Sequence, residues 1–133
     1  MASARMAEEC VIPILNQTGA GAKALECLEE AGVNLLGFVG YAISAEQAFI
    51  HVVADAMDQA FDALTKAGYE CQRGKVVLAE VPNVPGGVAK VLRTLAGAGV
   101  DVEHCWASAL GSGSALCVLR AKDSAGALKA LQG

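Results

Sequence analysis

Apolar and polar positions alternate through KVVLAEV, residues 75–81, with β-branched side chains at the apolar sites, and this predicts a strand. Val88, Val91, Leu92 and Leu95 then recur at i, i+3, i+4 and i+7, the stripe of an amphipathic helix that Gly99 closes as a C-cap residue. VDVEHCWASAL predicts a second strand, GSGS a hairpin turn and ALCVLRA a third strand; Asp123 opens a short helix carrying Leu128 and Leu131. The order is βαββα. Upstream, strands are predicted at residues 9–15, 33–43 and 47–54, and helices at 19–31 and 55–67, the latter with Met57, Phe61 and Leu64 inward. Residues 69–73 supply a fourth strand, which completes βαββαβ.

The two halves are one plan written twice, because NQTGAGAKALECLEEAGVNL and NVPGGVAKVLRTLAGAGVDV align at a constant offset of 67 from Asn16 to Asn83. That register pairs Gly19 with Gly86, Lys23 with Lys90, Leu28 with Leu95 and Ala31-Gly32-Val33 with Ala98-Gly99-Val100. Without a gap it also carries Ala60, Ala63 and Leu64 onto Ala127, Ala130 and Leu131. The chain of 133 residues therefore reads as a tandem duplication, unit 1 at 1–73 and unit 2 at 74–133. The predicted class is α+β: two split-βαβ, ferredoxin-like units, each an antiparallel four-stranded sheet with both helices on one face. The second copy lacks its own last strand, since Gly133 falls where the first has Lys66. An unpaired edge is a liability. It is expected to pair with the other unit, with residues 1–8, or with a second chain. The copies also differ in their first helices, where Val88 and Val91 become Gly21 and Ala24. A helix-interior glycine costs about 1 kcal/mol, so the first helix is expected to be looser or pressed closely against a neighbour.

Composition narrows the function classes. With 54% apolar and 18% charged residues the chain can bury a core. No apolar run is long enough to span a bilayer, and residues 1–9 lack the apolar core of a secretory signal, so the expected compartment is the cytoplasm. A net charge of −4 with scattered Lys and Arg offers no footprint for nucleic acid. Five cysteines without a C-x-x-C pair spell neither a disulfide framework nor a zinc site.

Few residues suggest turnover. TGAGAKA lacks the G-x-x-x-x-G-K-[ST] spacing of a phosphate-binding loop. His104, Cys105 and Trp106 have no further ligand or carboxylate partner fixed by the sequence, so packing or an interface is their expected role, with Trp106 against a partner unit. His51 alternates into the third strand as a satisfied sheet residue. Asp101 and Glu103 share one strand face; Glu103 is expected in solvent, while Asp101 and its counterpart Asn34 read either as solvated or as ligand contacts. No catalytic set converges, no metal or cofactor is implied, and the chain is expected not to be an enzyme.

Strand, N-x-P-G, helix, then L-x-x-A-G-[VI]-[ND]-[VI] into the second strand resembles the ACT domains, and the whole chain is similar to a stand-alone tandem ACT protein. VPNVPGGVAKVLRTLAGAGVDVEHCWAS carries the closer match; the first copy has Thr18 where the family usually has proline. The resemblance implies a regulatory sensor for an amino acid or similar small carboxylate, bound between ACT units against the loop after the first strand. It also implies side-by-side pairing into a homodimer and association with a metabolic enzyme. A helix N-terminus, with its free N–H groups and partial positive charge, suits a carboxylate, and glycines let it approach. The candidate ligand residues are thus Asn83, Pro85, Gly86, Gly87 and Asp101, with Asn16, Thr18, Gly19, Ala20 and Asn34 as counterparts. Two alternatives stay open: Pro-Gly as ordinary helix-start punctuation, and a structural oligomerisation module with no ligand.

Overall fold

The protein is described here by a computed structural model covering residues 3–109, 111 and 113–133. Its elements run β1 (Ser3–Leu15), α1 (Ala20–Glu30), β2 (Leu35–Ala42), β3 (Gln47–Ala54), α2 (Met57–Lys66), β4 (Gln72–Pro82), α3 (Gly87–Gly97), β5 (Val102–Ala109), β6 (Ser114–Ala121) and α4 (Ser124–Gln132). The α+β class and the antiparallel hairpins follow the alternation in the sequence.

Two compact units divide the chain, Glu8–Gly74 and a second made of residues 3–7 with Lys75–Gly133. In the first, strand order is β2-β3-β1-β4, and β3 pairs antiparallel with both neighbours, Ile12 opposite Ile50 and Phe38 opposite Val52. Alternate residues Cys10, Ile12, Ile50, Val52 and Ala54 face one way and bury against Ala24 and Leu28 of α1 and Met57, Ala60 and Leu64 of α2. The period of two on the strands meets the period of 3.6 on the helices, so both helices lie on one face.

In the second unit the order is β5-β6-β4-β1, where β6 pairs with β4 and β5, Ala79 opposite Cys117 and Trp106 opposite Val118. Val77, Ala79, Val81, Cys117 and Leu119 pack on Val91 and Leu95 of α3 and Ala127 and Leu131 of α4. The edge foreseen as open is occupied by the start of β1: Ala4 and Met6 pack against this core, and Gln132 Nε2 donates to the Ala4 carbonyl at 3.2 Å. Of the three occupants expected there, residues 3–7 of the chain itself fill the place.

Several expectations shift. β1 begins at Ser3, six positions before the predicted start, and residues 69–73 do not form a separate strand; Gln72–Gly74 instead lead straight into the second unit's strand as one element, β4. Leu92 is 40% exposed, because it lies 100° round α3 from buried Val91, at the outer margin of the apolar stripe. Phe61 is only partly buried, with the Arg73 guanidinium over its ring at 5.4 Å. A bulge between Val102 and His104 takes Glu103 out of simple alternation, and Asp101 precedes the strand, so the two carboxylates do not form one strand-face pair. The GSGS turn includes Ser112, which with Leu110 lies outside the described residues; Gly111 and Gly113 both have positive φ.

Candidate functional site

The two glycine turns are built alike. Gly19 and Gly86 each stand at the helix N-cap with φ of 84°, a left-handed conformation that penalises any Cβ. Ala20 N–H donates to the Gln17 carbonyl at 3.1 Å, and Gly87 N–H to the Val84 carbonyl at 3.0 Å. Each copy clamps its turn to the adjacent hairpin through the asparagine that the two copies share. Asn16 donates its backbone N–H to Glu46 O and Nδ2 to Ser44 O at 2.8 and 2.9 Å. Asn83 repeats this, its N–H to Gly113 O at 2.9 Å and its Nδ2 to Gly111 O.

The second turn opens on a cavity of about 290 Å³ lined by Pro85, Gly86 and Gly87 together with Val81, Val84, Lys90, Val91, Arg93, Thr94 and Leu131. Neither Asn83 nor Asp101 is among its walls. Asp101 instead lies exposed, 3.9 Å from Lys122 Nζ. Asn34 lines a shallow depression in the first unit with Leu25, Leu28, Glu29 and Val33, apart from Thr18, Gly19 and Ala20. Sequence reasoning thus brought three residues to the cavity and missed Lys90, Arg93, Thr94 and Leu131. The signal for two of them was available: Lys90 and Arg93 follow Gly87 at i+3 and i+6 on a helix, and both are cations.

Gly87 has a reason of its own. A Cβ there would collide with the Pro82 carbonyl oxygen, so glycine is required by the tight strand-to-helix exit. Punctuation and cavity therefore coexist at one turn.

Other singled-out residues are absorbed by packing. His51 is 3% exposed; its Nδ1 lies 2.9 Å from Glu9 Oε1 and its Nε2 2.8 Å from the Tyr41 hydroxyl, so both ring nitrogens are hydrogen-bonded within the sheet. Glu103 pairs with Arg120 at 3.6 Å on the half-exposed surface. Cys105 Sγ touches Cys117 Sγ at 3.6 Å, and the hydrogen bond from Cys117 pulls the Cys105 thiol below the ordinary range. Burial, with the nearby Cys71 thiol, pushes Cys10 up to about 12, so it stays an inert core thiol. Among the described residues no helix is long and apolar enough to cross a membrane.

No family model matches this sequence, and no curated protein matches it. Solved structures do. Protein BT0572 from Bacteroides thetaiotaomicron superposes with a TM-score of 0.87 at 27% identity, over 97% of this chain and 88% of that one. The ligand-free regulatory subunit of aspartate kinase from Thermus thermophilus gives 0.71 at 18% identity, over 98% and 94%. The corresponding subunit from Thermus flavus gives 0.68, also at 18% identity and with the same coverage. The fold is that of aspartate kinase regulatory subunits. The two Thermus chains are regulatory subunits, and each is matched over 94% of its length.

Proposed function

We propose that this chain is a regulatory sensor for a small carboxylate, an amino acid or a close relative, built from two ACT-type sequence repeats, 1–73 and 74–133, with residues 3–7 folding into the second unit. The observation that carries the reading is the cavity beside the left-handed Gly86 turn, where Pro85, Gly86 and Gly87 at the start of α3 meet two cations from further along the same helix, Lys90 and Arg93. That setting favours a carboxylate: the helix end offers unpaired N–H groups and partial positive charge, and the cations add to both. The likeness to regulatory subunits of aspartate kinase supports regulation of a metabolic enzyme. Asn83 and Asn16 hold the turn in shape, and Gly19, Ala20 and Thr18 form its first-unit counterpart; Asp101, outside the walls of the cavity, and Asn34, in a separate depression, take no part in this reading.

A second role is favoured by one observation. Phe38 and Tyr41 of β2 and Ile43 just beyond it, between 40% and 56% exposed, lie along the outer strand of the first unit. Exposed apolar groups along an outer strand suit pairing with a second copy, so the sensor is expected to be a homodimer.

The test is a thermal-shift screen of the full chain against the twenty amino acids and their 2-oxo acid counterparts, with light scattering on the same samples. A ligand at a hundredfold excess over Kd stabilises by about 2.7 kcal/mol, which for a chain of this size raises Tm by roughly 10 °C. Gly86→Val is a poor control because positive φ strains any β-branched residue; Lys90→Gln, on the exposed helix surface, removes the charge and leaves the backbone alone. A clean oligomer that responds to no compound would leave only the structural module.

A further inference from the structure

The walls of the second unit's cavity are unbalanced in charge. Lys90 and Arg93 both line it, no Asp or Glu does, and neither cation has an acid partner among the described residues. An α-amino acid brings an ammonium group with three N–H donors that need acceptors. Three backbone carbonyls at this turn already accept one bond each: Pro82 O from Val84 N–H at 2.9 Å, Val84 O from Gly87 N–H at 3.0 Å, and Gly86 O from Lys90 N–H at 2.9 Å. Thr94 Oγ1 donates to the Lys90 carbonyl at 2.8 Å, and its oxygen is left as the side-chain acceptor among the cavity's walls. An ammonium would enter beside two like charges with no acid to offset them, and like charges at contact range in a part-desolvated site repel.

The first unit supplies an internal control. At the repeat offset Lys90 corresponds to Lys23, but Arg93 corresponds to Glu26. The same helix turn therefore presents a cation and a carboxylate in one copy and two cations in the other. The first pattern matches a zwitterion, and the second an anion.

We propose that the second unit's cavity takes a short apolar carboxylate without an α-ammonium group, a 2-oxo acid in type, with Lys90 and Arg93 receiving the carboxylate. The inference rests on the sensor reading above and narrows its ligand class. Val81, Val84, Val91 and Leu131 provide the apolar wall for the tail, and about 290 Å³ lies at the small end of ligand pockets, which suits a compact molecule.

Isothermal titration on the full chain tests this with matched probes, 3-methyl-2-oxobutanoate against L-valine and 4-methyl-2-oxopentanoate against L-leucine. The oxo acid is expected to bind at least tenfold tighter than its amino acid, and Arg93→Met to weaken it at least tenfold. Arg93→Glu, which writes the first unit's residue into the second, should abolish it. Because Arg93 is exposed and unpaired, all variants should keep the parent circular dichroism and Tm without ligand. If Arg93→Met leaves oxo-acid binding unchanged, or if an amino acid binds as well as its oxo acid and loses that binding in Arg93→Met, the proposal fails while the sensor reading stands. If no probe binds at millimolar concentration and the wider screen is also silent, both fail.

Discussion

Gly86 and Gly87 are adjacent, yet they are glycine for different reasons. Gly86 needs positive φ and has open space where a Cβ would stand, whereas Gly87 has a regular helical backbone and a carbonyl in the way. The first copy replaces the second of them with Ala20, so there the exit from the strand must leave room. Gly21 is the opposite case. A Cβ at Gly21 meets nothing within 4 Å, which removes the reading that α1 is pressed against a neighbour at that point and leaves a helix made looser by its own glycine. Gly21→Ala should therefore stabilise the protein by about 0.5–1 kcal/mol through helix propensity and a less flexible unfolded chain. Gly87→Ala should destabilise it by roughly 1–3 kcal/mol, the range of an overpacked site. Urea unfolding of both variants decides; equal effects, or effects of the same sign, would defeat the account. The sequence alone marked Gly86 and Gly87 as turn or helix-start residues and Gly21 as a helix-interior one, and no periodicity separates a φ requirement from a steric one.

Among elements, the repeat was the legible part. Strand and helix order, the caps at Gly32 and Gly99, with φ of 73° and 71°, and the Asp123 cap, whose Oδ1 accepts from Gly126 N–H at 2.9 Å, all follow from local chemistry. What stayed hidden was long-range. Asn16 and Asn83 read as ligand contacts because the turn they occupy is where a ligand would sit, but their amides reach 28 residues along the chain to the hairpin tips. Glu9 likewise could not be matched to His51 before their strands were registered. The clamp makes a prediction for the hairpins: Asn16→Ala should cost about 0.5–1.5 kcal/mol, the net worth of an ordinary hydrogen bond, and should speed amide exchange in the β2–β3 hairpin. Asp at the same position, which cannot donate, should behave like Ala. If it instead preserves stability, the Nδ2 donation to Ser44 is not what holds the turn.

For the whole molecule, the consequential feature is that two long strands each serve both units. β1 gives residues 3–7 to the second unit and the remainder to the first; β4 gives Gln72–Gly74 to the first and Lys75–Pro82 to the second. Duplication made this arrangement readable only in part. The repeat register exposed the missing fourth strand, but apolar alternation is brief in SARMAE, where Ala7 and Glu8 break it, so the start of β1 could not be found by pattern. Its anchoring is tertiary: Met6 and Ala4 against the second core, and the Gln132 hydrogen bond to Ala4. On the first unit's side, Arg73 secures Gln72–Gly74 with ion pairs to Glu8 at 2.7 Å and Asp58 at 2.8 Å; Asp58 is 92% exposed, so the Glu8 contact is the more effective of the two. Removing residues 1–7 should consequently unsettle the second unit first, because an antiparallel sheet stripped of its outer strand exposes both backbone groups and the apolar face that strand covered. Hydrogen exchange should accelerate across β4, β5 and β6 while β2 and β3 keep their protection, and the ligand response of the Lys90–Arg93 cavity should weaken along with it. Uniform acceleration in both units would mean that they unfold as one cooperative body, and unchanged protection would mean that the second sheet does not need its fourth strand.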